Sequence, residues 1–351
     1  MKSAIRNYLP AAALALLAFC ITGAFADDDA IREKISNLAS EDLRISSDTP
    51  GIELFLRNKH LKDGTASADR VLLYVHGATY PSETAFDLRL DGMSWMDYLA
   101  AQGWDVWLVD LRGYGHSTRP PEMDKAAKDS APLVTTDVAV RDVGTAVDYI
   151  LKRRGVSKLS LLGWSWGTSI MGTYTSSNND KVNKLVLYAP LWLRNTPLLI
   201  GGDGPLGAYR TVAKEGAKKR WLTGVPEDKL AGLIPAGWFE AWADATWATD
   251  PNSKDAGLLR APNGVIQDVR DYWASGKTYY DAANIRVPTL LIKAEWDQDT
   301  PTYMAQALFA LLKSTPVKRY VEIGEGTHTV IMEKNRMQLF REVQMFLEER
   351  N

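Results

Sequence analysis

Cysteine and histidine are scarce in this 351-residue chain, and charge of neither sign dominates it. The single cysteine, Cys20, excludes an internal disulfide, so core packing alone must hold the fold together. The 41 basic and 43 acidic side chains leave a formal net charge of −2, which gives no bulk attraction to nucleic acid or to an anionic membrane. No pair of the four histidines has metal-ligand spacing. We therefore expect no nucleic-acid partner, no metal and no cofactor, and we look for function in a local site.

A long uncharged apolar run occurs near the N-terminus, between Arg6 and Asp27. The positive charges at Lys2 and Arg6, the Ala/Leu-rich stretch and the small residues that end at Ala26 are typical of a secretory signal peptide. An uncleaved membrane anchor is the alternative, because the run is just long enough to span a bilayer. We expect cleavage after residue 26, which predicts a periplasmic or secreted protein with no stable membrane insertion afterwards.

Short apolar runs alternate with helical periodicity along the rest of the chain. A short helix over residues 30–39 and an early strand near residues 52–56 come first. Helices are expected between the later runs, most clearly over residues 140–151, and this alternation predicts a mostly parallel α/β sheet flanked by helices. The apolar runs that predict buried strands are Val71–Val75, Val106–Val109, Leu159–Leu162, Leu185–Tyr188, Val287–Lys293 and Val317–Ile323.

Residues 191–283 interrupt the alternation and are rich in Trp, Gly and Pro. We predict that they form a helical cap, or lid, inserted into a catalytic domain made of residues 27–190 and 284–351. The aromatic side chains of the cap either seal it onto that domain or line an apolar pocket beneath it. A basic run in the cap is expected to be a solvated helix face, with an anionic substrate as the alternative; it consists of Lys214, Lys218, Lys219 and Arg220.

The strongest local pattern is the segment Gly163–Gly167, which reads Gly-Trp-Ser-Trp-Gly. It follows the predicted strand that ends at Leu162 and precedes a helix-compatible run, the context in which G-x-S-x-G forms a nucleophile elbow. A serine that projects from so tight a turn has a strained backbone and leaves room only for small residues two positions away. Gly163 and Gly167 meet that requirement, so Ser165 is the predicted nucleophile.

A serine hydroxyl needs a base to remove its proton and an acid to hold that base. His328 is the candidate base, because it lies in a glycine-bearing loop after the last predicted strand. The acid should follow the strand that resumes after the cap, where three carboxylates occur. We choose Asp297, and Glu295 and Asp299 stay open as alternatives. The order Ser165, Asp297, His328 is that of the triad on this kind of sheet.

Several separated segments resemble the α/β-hydrolase superfamily, over residues 71–190 and 287–345. The tripeptide His76-Gly77-Ala78 looks like the family's HG-x loop, and residues 110–117 are similar to its D-x-R-G-x-G-x-S stretch. The spacing from Asp297 to Pro301 matches G-x-x-D-x-x-x-P, except that Ala294 replaces the usual glycine. The resemblance implies a serine hydrolase of the capped esterase or proline-iminopeptidase-like branch, and it favours Asp297 as the acid.

The resemblance also implies an oxyanion hole formed by the backbone N–H groups of Ala78 and Trp166. His76 is expected to support the loop backbone rather than to take part in catalysis. We further place four aromatic residues in the substrate-binding region: Tyr80, Trp164, Trp238 and Trp242.

The sequence thus predicts an exported, cofactor-free serine hydrolase that cleaves small to medium-sized carboxylic esters through an acyl-enzyme intermediate, with a small-molecule ester as its partner. An aminopeptidase similar to proline iminopeptidases is the first alternative. It needs an acid in the cap for the substrate amine, and Glu240, Asp244 and Asp228 are candidates. A lactonase is a further enzyme alternative, and an exported binding protein on the same fold is the non-enzyme alternative.

Overall fold

The computed structural model describes residues 30–64, 66–201 and 204–350. The predicted signal peptide, residues 1–26, lies outside the described residues. Within the described ranges, no helix has both the length and the apolar character that crossing a bilayer requires.

An eight-stranded sheet forms the centre of the described fold, with the strand order β1-β2-β4-β3-β5-β6-β9-β10. Strands β1 and β2 pair antiparallel with each other, β2 pairs antiparallel with β4, and the neighbours from β4 to β10 are parallel. The strands are β1 (Leu38–Ser46), β2 (Glu53–Leu61), β3 (Val71–Val75), β4 (Asp105–Asp110), β5 (Leu159–Trp164), β6 (Val182–Tyr188), β9 (Thr289–Ala294) and β10 (Lys318–Ile323), with β7 and β8 in the insertion.

Helices cover both faces of this sheet. After a helical segment that ends at residue 35, the α-helices are α1 (Ser82–Phe86), α2 (Trp95–Ala101), α3 (Thr136–Arg154), α4 (Trp166–Ser177), α5 (Lys214–Trp221), α6 (Trp238–Ala248), α7 (Ser253–Ala256), α8 (Gly264–Asp271), α9 (Thr302–Leu311) and α10 (Arg336–Glu348). Buried side chains of α3, α4 and α9 join one apolar cluster, and those of α2 and α10 join the other. Successive side chains of β3 point to opposite faces of the sheet, so Leu73 and Val75 pack in the first cluster and Leu72 and Tyr74 in the second. The predicted α/β class is confirmed.

The connection between β6 and β9 contains strands as well as helices. Strands β7 (Tyr209–Ala213) and β8 (Leu258–Pro262) form a separate antiparallel pair, and α5 to α7 lie between them in the chain. The sequence pattern predicts only helices here, because the two strands pair across about 45 residues and neither has a distinct periodicity.

The N-terminal part of the described chain also differs from the sequence pattern. The predicted helix over residues 30–39 ends at residue 35, and β1 begins at Leu38. Strand β1 pairs with the more buried β2 along its whole length, so tertiary pairing overrides the local preference at residues 38 and 39.

Candidate active site

Ser165 lies at the sharp turn between β5 and α4, immediately before the first helical residue, Trp166. Its backbone angles are φ 58° and ψ −120°, a conformation that is costly for a residue with a side chain. The backbone N–H of Ser165 donates to the carbonyl of Tyr188 at 2.9 Å, which holds the turn against β6. The strained residue is thus fixed at the carboxyl edge of the parallel strands, where α/β sheets bind their ligands.

Close backbone contacts explain both glycines of the elbow. A Cβ at Gly163 would lie 2.3 Å from the carbonyl oxygen of Gly167, and a Cβ at Gly167 would lie 2.7 Å from the carbonyl oxygens of Val75 and His76. Real Cβ atoms do not approach backbone atoms so closely, and backbone cannot move aside as a flexible side chain can. The spacing therefore reflects steric need on both sides of Ser165.

His328 and Asp297 are hydrogen-bonded at the same edge of the sheet. His328 Nδ1 lies 2.8 Å from Asp297 Oδ2, and both side chains are buried. Thr300 donates to the two Asp297 oxygens, from its backbone N–H at 2.8 Å and from its hydroxyl at 2.7 Å. Burial by itself raises the pKa of Asp297, but the charge and hydrogen bond of His328, with Lys293 and the Thr300 amide, bring that pKa below its ordinary value. An ionised Asp297 can accept Nδ1–H and leave Nε2 of His328 available as a base.

The backbone of His328 is held from a second side. Its carbonyl oxygen accepts hydrogen bonds from Trp164 Nε1 at 3.1 Å and from the Tyr188 hydroxyl at 2.9 Å. The indole of Trp164 stacks on the ring of Tyr188, with ring centroids 5.7 Å apart. Residues from β5 and β6 thus fix the loop that follows β10.

The two other carboxylates after β9 have different partners. Asp299 binds Arg220 of α5, with Arg220 Nε 3.0 Å from Asp299 Oδ1. Glu295 accepts the backbone N–H of Glu325 at 2.9 Å. Within the described structure, neither carboxylate bonds to His328.

A family model for the alpha/beta hydrolase fold matches residues 71–335, which is most of the chain. The chain belongs to the alpha/beta hydrolase fold family. Among curated proteins, a probable lipase of Schizosaccharomyces pombe is 27% identical over 175 residues, which is 48% of this chain and 35% of that protein. The matched segment therefore spans about a third of that relative's length.

Solved structures share the fold of this chain at low sequence identity. A membrane phospholipase A matches with a TM-score of 0.57 and 17% identity, over 96% of this chain and 94% of that one. An esterase from Thermogutta terrifontis matches with a TM-score of 0.56 and 16% identity, over 88% of this chain and 98% of that one.

Two backbone N–H groups near Ser165 belong to the residues expected to form the family's oxyanion hole. Trp166 is the first residue of α4, so its N–H lacks an intrahelical acceptor. Ala78 lines the cavity that also contains Ser165. In the described ranges, neither N–H donates to another protein group, which leaves both available to a ligand oxygen.

His76 contacts the loop that carries Ala78. Its Nδ1 lies 2.7 Å from the Gly77 carbonyl oxygen, and its Nε2 accepts the N–H of Leu111 at 3.2 Å. Burial lowers the pKa of His76 to about 4, so the ring is neutral, with its proton on Nδ1. The Nδ1–H group orients the Gly77–Ala78 peptide, the one that contains the Ala78 N–H.

A narrow cavity of about 30 Å³ lies over Ser165 and His328. Three of the predicted substrate-binding residues, Tyr80, Trp164 and Trp242, line it. The lining also includes three residues of α5 (Ala217, Arg220 and Trp221), Asp299 and Thr79. The cavity is thus mostly apolar, with one ion pair in its wall.

The structure places Trp238 elsewhere. Trp238 is not among the residues that line the cavity, and the guanidinium of Arg336 lies 4.5 Å from its ring centroid. As the first residue of α6, it faces the start of α10, whereas Trp242 one turn later faces the cavity.

Sequence reasoning missed the cavity role of Arg220. In the basic run, Lys218 and Lys219 are exposed, as a solvated face requires, whereas Arg220 turns inward to Asp299. The signal lay in the helical spacing of Ala217 and Trp221, which are both buried and define the inward face beside Arg220.

The acids that an aminopeptidase would need do not reach the cavity. Glu240 and Asp244 pair with Lys218 and Lys214 on the exposed surface of the insertion, and Asp228 is also exposed. The acidic residue that lines the described cavity is Asp299, which is bonded to Arg220. Across the described ranges, no group of three or more His, Cys, Asp or Glu side chains could hold a metal ion.

Proposed function

We propose that this chain is an exported serine hydrolase that cleaves carboxylic esters of small to medium size through an acyl-enzyme intermediate. The observation that carries the proposal is the strained Ser165 at the elbow together with His328, which both line the cavity, and the hydrogen bond from His328 to the buried Asp297. The family's lipase-named and esterase-named relatives support an ester as the substrate.

The chemistry follows from the positions of these groups. Ser165 Oγ attacks the ester carbonyl carbon while His328 Nε2 takes its proton, and the same proton then passes to the leaving alcohol. Asp297 keeps Nδ1–H of His328 in place and stabilises the imidazolium as it forms. Water, activated in turn by His328, hydrolyses the acyl-enzyme.

The negative charge that develops on the carbonyl oxygen is received by the N–H groups of Ala78 and Trp166. Each donor of this kind contributes about 3 kcal/mol to transition-state stabilisation. Ser165 Oγ makes no hydrogen bond within the described part of the chain, and we expect its bond to His328 to form when substrate binds.

The cavity favours small acyl groups. A volume of about 30 Å³ is roughly a tenth of the smallest common ligand pocket, so even a small ester requires the cavity to open, and a long acyl chain requires a larger movement of the insertion. We therefore expect turnover of p-nitrophenyl acetate and butyrate to exceed that of the laurate.

The test compares initial rates of p-nitrophenyl butyrate hydrolysis by the protein recovered from the exported fraction, whose N-terminus we expect at Asp27. The Ser165→Ala variant should lose roughly four to six orders of magnitude in turnover with its fold intact. Ser160→Ala is the matched control, because Ser160 lies buried in β5, the strand that leads to the elbow, and its hydroxyl has no partner among the described residues.

Near-normal turnover in Ser165→Ala would contradict the assignment of Ser165 as the nucleophile. Absence of turnover of esters, lactones and prolyl amides alike by the wild-type protein would favour the binding-protein alternative. Ester turnover by a chain whose N-terminus is still residue 1 would support the hydrolase proposal and contradict the predicted cleavage after residue 26.

A further inference from the structure

Glu333 is a fully buried carboxylate between the loop that carries His328 and the insertion. Its Oε2 accepts the backbone N–H of Thr327 at 3.0 Å, and its Oε1 accepts the Thr327 hydroxyl. The same Oε1 accepts the indole N–H of Trp221 at 2.8 Å. Thr327 directly precedes His328, so Glu333 connects the candidate base to a residue of the insertion.

The chemistry of the three donors calls for a carboxylate. A carboxylate accepts with both oxygens, whereas a glutamine amide offers one acceptor and would turn a donor toward the other N–H or O–H. In the part of the chain that the structure describes, the hydrogen-bond partners of the Glu333 carboxylate are Thr327 and Trp221, and neither is a cation. The hydrogen bonds from Thr327 and Trp221 offset part of the burial of this group, and burial still raises the pKa of Glu333 above its ordinary value.

Trp221 faces the cavity as well as Glu333. It is the last residue of α5, it lines the cavity, and it packs edge-on against Trp242 with ring centroids 5.1 Å apart. The preceding residue, Arg220, binds Asp299 in the loop that also carries Asp297. The C-terminal end of α5 thus contacts both loops that hold the candidate acid and base.

We propose that Glu333 is a positioning residue that couples the docking of α5 to the placement of His328, through the bond from Trp221 on one side and the bonds from Thr327 on the other. This inference rests on the proposed function. When α5 packs against the loop, Trp221 donates the third hydrogen bond to Glu333. The Thr327–His328 segment is then held where His328 Nε2 faces Ser165. When α5 is displaced, Glu333 keeps only the two Thr327 donors and the segment is less constrained.

This coupling predicts an effect on kcat rather than on KM. The Trp221→Phe substitution keeps a six-membered aromatic ring in the cavity wall and removes the N–H donor together with the five-membered ring, a loss of volume that a second Trp→Phe variant must match. We expect kcat for p-nitrophenyl butyrate to fall about tenfold and KM to change by less than about threefold, because ground-state contacts are kept while the base is less well placed.

The matched control is Trp273→Phe. Trp273 is also a buried tryptophan of the insertion, but its indole N–H has no partner within the described residues and it does not line the cavity. We expect its kcat and KM to stay within about twofold of the wild type. Thermal unfolding of all variants shows which of them are folded.

A double-variant cycle distinguishes coupling from general damage. In the Glu333→Gln background, the acceptor arrangement for Trp221 is already disrupted, so adding Trp221→Phe should cost less than about twofold further. If the double variant lost kcat by the product of the two single losses, the substitutions would act independently and the proposal would be overturned. If Glu333→Gln does not fold, the comparison of Trp221→Phe with Trp273→Phe decides alone.

An unchanged kcat in Trp221→Phe, or an equal loss in Trp273→Phe, would also overturn the inference. Neither result affects the proposed function, which stands or falls on wild-type turnover and its loss in Ser165→Ala.

Discussion

At the residue scale, two neighbouring carboxylates, Asp297 and Asp299, face different partners. Asp297 is bonded to His328 and Thr300, whereas Asp299 is bonded to Arg220. The carboxylate next to the imidazole determines which nitrogen of His328 carries the proton. An asparagine there can present its amide N–H toward Nδ1, which favours the tautomer that is protonated on Nε2 and cannot accept the serine proton.

We therefore expect Asp297→Asn to lower kcat/KM for p-nitrophenyl butyrate several hundredfold or more. Asp299→Asn should lower it less than about tenfold, since the amide oxygen can still accept from Arg220 and no contact with His328 changes. Steady-state rates of the two purified variants at pH 8 provide the comparison. A larger loss in Asp299→Asn would assign the acid to Asp299.

At the element scale, the β5-to-α4 turn is limited by contacts between its own backbone atoms. A Cβ at Gly163 would lie 2.3 Å from the Gly167 oxygen and 2.9 Å from the Thr168 nitrogen. Relief requires α4 to move away from β5, which would also displace Ser165. Gly163→Ala should therefore lower the free energy of unfolding by about 3 kcal/mol or more, together with activity.

Gly155 at the end of α3 provides the control for that prediction. It has φ 65°, but a Cβ there would meet nothing within 4 Å. Gly155→Ala should cost only the left-handed backbone strain, about 1 kcal/mol. Urea unfolding followed by circular dichroism measures both variants, and equal losses would show that steric contact is not the cause at Gly163.

Helix α5 of the insertion shows, at the same scale, that a sequence pattern can predict a helix without predicting which residues it contacts. Helix α5 has the expected exposed lysines, yet its last two residues, Arg220 and Trp221, face the loops that carry the candidate acid and base. Helix periodicity identifies the buried side of α5, but it does not identify what lies opposite that side.

At the scale of the whole molecule, the free energy of unfolding should depend on pH, because buried histidine and aspartate groups change it in opposite directions as pH falls. His76 has a folded pKa of about 4, below its ordinary value of 6.5. Between these values the unfolded chain binds a proton that the folded chain excludes, so the stability contributed by His76 is lost as pH falls from about 6.5 toward 4. Burial raises the pKa of Asp110 and of Asp268 to about 6, and these groups favour the fold at the acidic side of the same range.

The difference between wild type and His76→Gln isolates the histidine from those opposing carboxylates. Glutamine does not titrate, so we expect the stability advantage of the wild type to shrink by about 2 kcal/mol between pH 7 and pH 5. Urea unfolding at the two pH values is the measurement. An advantage that is the same at both pH values would mean that His76 titrates normally in the folded chain.

Much of the central fold could be predicted because its signals are local. The run Val71–Val75 is a strand over its predicted length, and the helix predicted over residues 140–151 lies within α3 (Thr136–Arg154). Strand β1 and the β7–β8 pair lack such a signal, since their strands are defined by partners elsewhere in the chain.

In the candidate site, too, some residues could be predicted from local sequence and others only from the structure. The sequence identifies Ser165 through its flanking glycines, whose steric need extends over five residues. It leaves three carboxylates as possible acids, and the hydrogen bond of 2.8 Å from His328 is what distinguishes Asp297 in the structure. It predicts Trp238 and Trp242 together in the substrate region, and only Trp242 lines the cavity.

The sequence by itself determined most of the strand-and-helix order of the central sheet, the pattern of the turn around Ser165 and the α/β fold class, because apolar periodicity and turn sterics act within a few residues. Only the tertiary structure decided which side chains meet across the cavity. Trp221 and Glu333 lie 112 positions apart, and Arg220 and Asp299 lie 79 apart. Contacts at such separations depend on how the insertion packs against the sheet, and that packing is a property of the whole chain.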